Sequence, residues 1–340
     1  MVALLTVSLK LITIFTFHPD IEALLELNKC PACYGISACN YIHEIDIMVY
    51  DFASVFSYYF GVKNVFFGKL NKNKIVLKRL AHSSELSKFD EMLCEEKSFS
   101  HLCTINTKSD NNININFYEL VKKEMTLDFT KDNLSRLRLC PTTRHLSKLL
   151  ESVYYNHESI GHKTIDTNIW TLTILNPEPL ILQILPMEEG WPVPKYLGAC
   201  GRLIVEEYVG LPLNEFYYEP WKVRAQIASS LLNAAYIFTF KSDDFSFYLT
   251  DVTVDNIAVD STNTARFVDL ENVIVQLLSL HIKDNLFFGG LLHDIPVEIL
   301  EKHSTIQYLI EQCATPQASS SRITAGIQLK QLLDLIVKGI

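Results

Sequence analysis

The sequence predicts an α+β protein of two lobes, the first rich in strands and the second mainly helical. Short runs of Val, Ile, Leu and Phe come mostly first, and longer helical patterns come mostly later. A composition with 48% hydrophobic and 20% charged residues in 340 is that of a globular protein. The net charge of −9 argues against a general nucleic-acid binder, but it allows a nucleotide, which needs only local positive charge.

Residues 1–20 are predicted to be a signal peptide. Val2 to Phe17 are apolar except for serine, threonine and Lys10, and this run is short for a membrane-spanning helix. A buried strand or helix of the fold is the alternative. No second long apolar run follows, so no other membrane span is predicted.

Residues 21–55 form a cysteine-containing segment in this interpretation. The chain has eight cysteines, and an even number behind a signal peptide favours disulfides. The spacing of Cys30 and Cys33 also fits half of a zinc site, but a second ligand pair at suitable spacing is missing.

Residues 56–208 are predicted to be the strand-rich lobe. Two runs, VKNVFFGKL and KIVLKRL, predict strands joined by a hairpin turn at 71–73. The segment SSELSKFDEMLCEE predicts a helix, because Leu86, Phe89 and Leu93 recur at helical spacing. Residues 96–166 are more polar and are interpreted as an insertion. KYLGACGRLIVEEYVG then predicts two strands around a glycine-containing turn.

Residues 209–340 are predicted to be the helical lobe. A long helix follows Pro220, with Ile227, Leu231, Ala234 and Phe238 on one face. The stretch from Phe247 to Asn272 contains short apolar runs flanked by acids and amides, and the remaining segments are helical in pattern.

Four elements occur in the order of the protein-kinase signature. A strand carries Lys78, two strands lead to a hinge at Glu207 and Tyr208, a loop contains Asp251 and Asn256 five residues apart, and a strand ends at Asp269. Such a site transfers a phosphoryl group by positioning it and neutralising its charge.

Each residue type suits one role in that chemistry. Lys78 would hold nucleotide phosphates, Asp251 would accept or orient the acceptor proton, and the oxygens of Asn256 and Asp269 would bind Mg²⁺ or Mn²⁺. Glu91 is predicted to be the acidic partner of Lys78, with Asp90, Glu85 or, because a long insertion follows, a residue elsewhere in the chain as alternatives. The other interpretation is structural: acids and amides in turns, and a solvated lysine.

The motifs CPACYG, NVFFGKL, KIVLKRL, NPEPLILQ, EEGWPVPKYLGACGR, YLTDVTVDNIAV, VDLENV and GGLLHD are found in this order. From about Cys30 to the C-terminus the chain resembles the divergent protein kinase domain 2 family, the deleted-in-autism group of secretory-pathway kinase-like proteins. The resemblance implies a signal peptide, residence in the Golgi or secretion, disulfides and a divergent kinase fold.

The chain departs from an ordinary kinase around its predicted site. Leu249-Thr250 stand where His-Arg would precede the catalytic Asp, Thr253 replaces a Lys, and Leu270-Glu271 replace Phe-Gly after the metal-binding Asp. No glycine-rich phosphate loop is visible. The activation segment, between VDLENVIV and GGLLHD, is several dozen residues shorter than the resemblance implies.

The sequence therefore leaves three hypotheses. The first is an atypical kinase of the ER or Golgi lumen, or a secreted one, that uses ATP with Mg²⁺ or Mn²⁺ on a protein substrate. The second is a pseudokinase that acts as a secreted ligand of a cell-surface receptor or as a Golgi scaffold. The third is a cytosolic protein with free thiols, which requires that the N-terminal run is not a signal peptide. None of them involves nucleic acid.

Overall fold

A computed structural model describes most of the residues that carry the predicted motifs. The described residues are 20–27, 33–48, 64–95, 138–139, 171–242, 245–275, 291, 294–314 and 319–339. The predicted signal peptide, the predicted insertion apart from residues 138–139, and most of the shortened activation segment lie outside them. Their predicted structures therefore stay predictions.

The described residues form two compact units. The first contains those between 20 and 95, 171–184 and 195–208, and the second contains 138–139, 185–194 and those from 209 onward. The first unit is built on a sheet and the second is mainly helical, so the predicted α+β class is confirmed.

A five-stranded antiparallel sheet forms the first unit, in the order β1-β2-β3-β6-β5. The strands are β1 (Asp46–Ile47), β2 (Asn64–Leu70), β3 (Asn73–Arg79), β5 (Tyr196–Cys200) and β6 (Leu203–Glu207). The predicted hairpin of β2 and β3 is present, and Asn71 and Lys72 in its turn have φ of 49° and 72°. Two consecutive residues with positive φ match the twist of a two-residue hairpin loop.

Three helices accompany this sheet: α1 (Ile21–Leu25), α2 (Ser83–Glu95) and α3 (Glu178–Ile184). The predicted helical pattern of α2 is confirmed for Leu86 and Phe89, which are both buried. Leu24 and Leu25 of α1 join Phe66, Leu77 and Val205 of the sheet in one hydrophobic core. This core fixes the central strand β3, which carries Lys78.

The cysteine-containing segment is attached to the outer strand β5. Cys39 forms a disulfide with Cys200, which lies 161 residues further along the chain. The backbone N–H of Ala38 donates to the carbonyl of Ala199 over 2.8 Å. Cys33 is disulfide-bonded as well. The prediction of disulfides is therefore confirmed for this part of the chain.

Replacing Cys39 and Cys200 by serine together is expected to lower the free energy of unfolding by about 2–5 kcal/mol, because the crosslink restricts the unfolded chain over a long loop. Thermal unfolding of the double variant and the oxidised wild type measures the difference. A melting temperature that does not change would show that the disulfide contributes no stability.

The second unit contains two small sheets. One has the order β10-β9-β7 and the other β4-β11-β8. Their strands are β4 (Arg138–Leu139), β7 (Leu211–Pro212), β8 (Phe247–Leu249), β9 (Ile257–Val259), β10 (Ala265–Phe267) and β11 (Val273–Val275). In the first sheet β9 and β10 form an antiparallel hairpin, and β7 pairs with β9.

The described part of the second unit also contains four α-helices with defined bounds. They are α4 (Trp221–Phe240), α5 (Val297–Lys302), α6 (Ile306–Ala314) and α7 (Ser319–Lys338). The predicted apolar face of α4 is confirmed, since Ile227, Leu231, Ala234 and Phe238 are all buried. Helix α4 packs on α7, and α7 packs on α6. Among the described helices, none has the length and hydropathy of a membrane span.

Gly201, in the turn between β5 and β6, is expected to tolerate no side chain. Its φ is 59°, and an added Cβ would lie 2.1 Å from the carbonyl oxygen of Leu25. Gly201→Ala should therefore lower the free energy of unfolding by at least about 2 kcal/mol. In the matched control Gly326→Ala, the Cβ meets Leu232 at 3.6 Å inside α7, and we expect a gain of about 0.4–1 kcal/mol. Equal melting temperatures for the two variants would contradict this account.

Candidate functional site

Lys78 lies near the end of β3 and forms two buried ion pairs. Its Nζ is 2.8 Å from Oε1 of Glu178 and 2.9 Å from Oε2 of Glu206. The exposed fractions of these three residues are 8%, 2% and 1%. Because the cluster contains one cation and two carboxylates, its formal charge is −1.

The two glutamates keep Lys78 charged. Burial by itself would lower the pKa of the Lys78 ammonium, but Glu178 and Glu206 outweigh this effect and raise the pKa above its ordinary value. Tyr196 pairs with Glu206 across the sheet. Burial, together with the negative charge of Glu206, raises the pKa of the Tyr196 phenol. This tyrosine therefore stays neutral beside the charged cluster.

The segment Asn176-Pro177-Glu178 positions the first carboxylate. The side-chain amide of Asn176 donates to the carbonyl of Leu80 over 3.2 Å, and its oxygen accepts the backbone N–H of Glu178 over 2.9 Å. Leu80 is two residues beyond Lys78, so this bridge ties the start of α3 to the end of β3. Glu178, the first residue of α3, is thereby held opposite the lysine.

The predicted partner of Lys78 was wrong. Glu91 is exposed on α2, and the lysine pairs with Glu178 and Glu206. The alternatives on the same helix have other roles: Asp90 pairs with Arg202, and Glu85 accepts the backbone N–H of His82 over 2.7 Å at the start of α2. The physical reason is that Asn176 brings a different short helix, α3, to the end of β3.

Sequence reasoning missed both carboxylates, although signals for them existed. Glu178 is the one charged residue in the stretch TLTILNPEPLIL, which is otherwise uncharged and mostly apolar. Glu206 follows the apolar run LIV directly and precedes the predicted hinge at Glu207 and Tyr208. A charge inside a buried run must have a partner, and this rule predicts a buried cation nearby.

The predicted hinge residues Glu207 and Tyr208 extend from β6. The N–H of Glu207 donates to the carbonyl of Lys195 over 2.9 Å, and that of Tyr208 donates to the carbonyl of Lys74 over 3.3 Å. The Tyr208 ring packs edge-on against Phe67, and the Lys74 ammonium lies 5.2 Å from its centre. Both N–H groups are therefore already used in hydrogen bonds within the first unit. A nucleotide base would have to bind other backbone atoms of the hinge.

The other three predicted residues lie in the second unit, and two hydrogen bonds connect their segments. The side-chain amide of Asn256 donates to the carbonyl of Asp251 over 3.2 Å. The carbonyl of Asn256 accepts the N–H of Val268 over 3.0 Å, next to Asp269. The loop at 251–256 and the segment after β10 that contains Asp269 are therefore neighbours in the fold.

The alternative interpretation, that these acids and amides are turn residues, also fits the structure. Asp269 accepts the N–H of Glu271, two residues further on, and Asn256 donates to Asp251 within its own loop. The same description applies to Asp260. Asp260 makes the turn between β9 and β10, where its Oδ1 accepts the N–H groups of Thr262 and Thr264 over 2.8 and 3.0 Å. Burial would raise the pKa of Asp260, but the hydrogen bonds, first of all from Thr262, lower it below its ordinary value. Asp251 and Asn256 come before this hairpin, and Asp269 comes after it.

The chemistry of these side chains fits a divalent cation. Since Asn256 directs its amide nitrogen to Asp251, its amide oxygen faces the other way, and Asp269 is a carboxylate that also accepts the N–H of Glu271 over 3.2 Å. Mg²⁺ prefers such oxygen ligands and commonly retains water and phosphate oxygens. Within the described part of the chain, no three His, Cys, Asp or Glu side chains cluster as a metal site. A metal here would therefore take further ligands from a nucleotide and water.

Comparisons with known proteins find similarity to kinase-like proteins. A family model described as the protein-kinase domain of FAM69 matches residues 169–285. Divergent protein kinase domain 2A of Xenopus tropicalis is 29% identical to the chain, covering 91% of it and 87% of the relative. The human protein of that name is 28% identical with the same coverage. Divergent protein kinase domain 2B of Bos taurus is 26% identical, covering 70% of the chain and 57% of the relative.

The fold and these matches define a protein of the protein-kinase-like class. The chain is similar to the divergent protein kinase domain 2 proteins over about nine-tenths of its length, and the resemblance found in its sequence is confirmed. The alignment with the frog protein spans 388 positions, which is 48 more than the whole chain, so the relative has residues without a counterpart here. The shortened activation segment stays a prediction.

Proposed function

We propose that the protein binds ATP together with Mg²⁺ or Mn²⁺ and uses them in phosphoryl transfer to a protein substrate. Lys78 would hold the nucleotide phosphates, and Asn256 and Asp269 would hold the metal ion, which would neutralise phosphate charge. Asp251, an exposed carboxylate, would accept or orient the proton of the acceptor.

The observation that carries this proposal is the buried ion pair of Lys78 with Glu178. A strand lysine held by a helix glutamate is the arrangement that an active kinase requires of its phosphate-binding lysine. Helix α3 supplies that glutamate, and the pair is 2.8 Å long. In the second unit, hydrogen bonds at Asn256 and next to Asp269 connect the segments that would hold the metal ion.

Thermal unfolding with and without ATP and Mg²⁺ or Mn²⁺ tests the proposal. We expect the metal and nucleotide together to raise the melting temperature of the wild type, because a ligand that binds the folded state stabilises it. Asp269→Ala should lose most of that shift. Asp260→Ala is the matched control: it removes a carboxylate from the neighbouring hairpin turn and should keep the shift.

Two outcomes would contradict the proposal. The wild type could show no shift with either metal, or it could show a shift that Asp269→Ala retains in full. A shift of the melting temperature without transfer of phosphate to any protein would support nucleotide binding and contradict phosphoryl transfer.

A pseudokinase that acts as a secreted ligand or a Golgi scaffold is the second candidate. Glu206 favours it, because this second carboxylate, 2.9 Å from the Lys78 ammonium, competes with phosphate for the lysine and leaves the cluster negative. Two features of the sequence also favour a pseudokinase: no glycine-rich loop is visible, and Thr253 stands where a kinase has the lysine that assists phosphoryl transfer. In this role the protein would bind a cell-surface receptor or another protein through its surface.

We also propose residence in the secretory pathway. The disulfide of Cys39 with Cys200 fixes the cysteine-containing segment to the sheet, and such crosslinks persist in oxidising compartments. A tagged full-length chain expressed in animal cells should be found in the ER or Golgi or in the medium, with the crosslink intact on non-reducing gels. A cytosolic and fully reduced protein would contradict this proposal.

A further inference from the structure

We propose that the second unit contains a separate binding site for an elongated apolar molecule with an anionic head, such as a fatty carboxylate. The site is a groove of about 370 Å³ between the C-terminal half of α4 and the N-terminal half of α7. This volume falls within the range of small-molecule sites. None of the residues lining it is Asp251, Asn256 or Asp269, so the site is distinct from the kinase-like one.

The rim of the groove is an exposed apolar surface. Tyr236, Phe240 and Ile327 line it with exposed fractions of 51%, 43% and 39%. The rings of Tyr236 and Phe240 pack together with centres 5.0 Å apart. A cluster of large exposed apolar side chains around a concave surface is characteristic of an interaction site.

Gly326 keeps the groove open. It lies in the interior of α7, where glycine is unfavourable because it has more conformational freedom to lose than other residues. An added Cβ would meet Leu232 at 3.6 Å, an ordinary contact, so helix packing does not require glycine here. A larger side chain at this position would fill the space between the two helices.

Arg322 gives the groove its charge. Its Nε is buried and has no hydrogen-bond partner in the structure, although the guanidinium lies near the buried thiol of Cys313. Burial raises the pKa of that thiol to about 11 against the opposing effect of Arg322, so the thiol is neutral and does not balance the arginine. Lys330 also lines the groove, but it pairs with Asp334 over 2.8 Å. None of the lining residues is acidic.

The apolar rim and the arginine together indicate the chemical class of the ligand. A carboxylate is the natural partner of a guanidinium that has donors to spare, and such charge-assisted bonds are stronger than neutral ones. The apolar rim suits a hydrocarbon tail that extends from that head. A nucleotide carries several negative charges. Among the described residues lining the groove, Arg322 is the cation that is not paired with an acid, so a ligand with a single negative charge fits better.

Calorimetric titration of the full chain with dodecanoate and with its uncharged methyl ester tests the proposal. We expect dodecanoate to bind at least tenfold more tightly than the ester, and Arg322→Gln to weaken dodecanoate binding by about tenfold or more. Lys222→Gln is the matched control, since it removes an exposed cation from the first turn of α4 and should change binding less than about twofold. Gly326→Leu should abolish binding by filling the groove.

Gly326→Ala provides a variant that preserves the fold if the leucine variant does not, and we expect it to weaken binding about threefold. Absence of dodecanoate binding, equal affinity for acid and ester, or unchanged affinity in Arg322→Gln would overturn the proposal. Wild-type affinity in a folded Gly326→Leu protein would place the ligand elsewhere and would also overturn it. Dimerisation through Tyr236 and Phe240 without dodecanoate binding would assign the groove to a second copy of the chain and would also overturn the proposal.

Discussion

Replacing Lys78 by methionine is expected to lower the free energy of unfolding by about 3–5 kcal/mol. The change leaves Glu178 and Glu206 buried next to each other without their shared cation, because both carboxylates face the Lys78 ammonium within 2.9 Å. Two buried carboxylates cost desolvation free energy and repel each other. Thermal and denaturant unfolding of the variant and the wild type measure the loss.

Two further variants make this prediction specific. Lys69→Met removes an exposed lysine from the neighbouring strand β2 and should change stability by less than about 1 kcal/mol. Lys78→Met combined with Glu206→Gln removes one of the two carboxylates that the single variant leaves without the lysine, and it should recover part of the lost free energy of unfolding. A Lys78→Met protein as stable as the wild type would show that the buried cluster does not support the fold.

Arg202→Met should have an effect of similar size, about 3 kcal/mol or more. Arg202 follows Gly201 in the turn between β5 and β6, and its side chain is 1% exposed. The guanidinium contacts carboxylates of two different helices, Glu26 after α1 and Asp90 on α2. Methionine would leave both carboxylates without this partner and would break the connection between the helices and the sheet.

The companion variants separate charge from packing. Asp90 and Glu26 are partly exposed, so water can solvate them again, and Arg202→Met with Asp90→Asn should recover about 1 kcal/mol. Arg224→Met, which removes an exposed hydrogen bond to the carbonyl of Glu219 at the start of α4, is the control and should be close to neutral. If Arg202→Met and Arg224→Met lower the melting temperature equally, the buried arginine has no special structural role.

The strands and the long helices were predictable because their signals are local. The β2–β3 hairpin follows from two apolar runs around a polar turn, and the buried face of α4 follows from the helical spacing of Ile227, Leu231, Ala234 and Phe238. The spacing of Asp251 and Asn256 predicts a catalytic loop; in the structure a hydrogen bond joins the two residues, and their roles stay predictions.

The partner of Lys78 could not be predicted in the same way, because it depends on a contact between residues 100 positions apart. The acid-rich helix α2 offered Glu91 at a plausible distance along the sequence. The choice of Glu178 depends on the bridge from Asn176 to Leu80, which becomes visible only in the folded chain. The second carboxylate, Glu206, belongs to the strand next to β3, so its position depends on strand order.

Equilibrium binding of ATP with Mg²⁺ to the wild type and to Glu206→Gln tests the central claim most directly, namely that Lys78 is a phosphate-binding lysine restrained by a second carboxylate. Glutamine keeps the shape of Glu206 and removes one negative charge, while Glu178 still pairs with the lysine. We predict that the wild type binds weakly and that Glu206→Gln binds about tenfold more tightly, because charge repulsion near the phosphates is reduced. Equal or weaker binding by Glu206→Gln, or no binding by either protein, would contradict the claim.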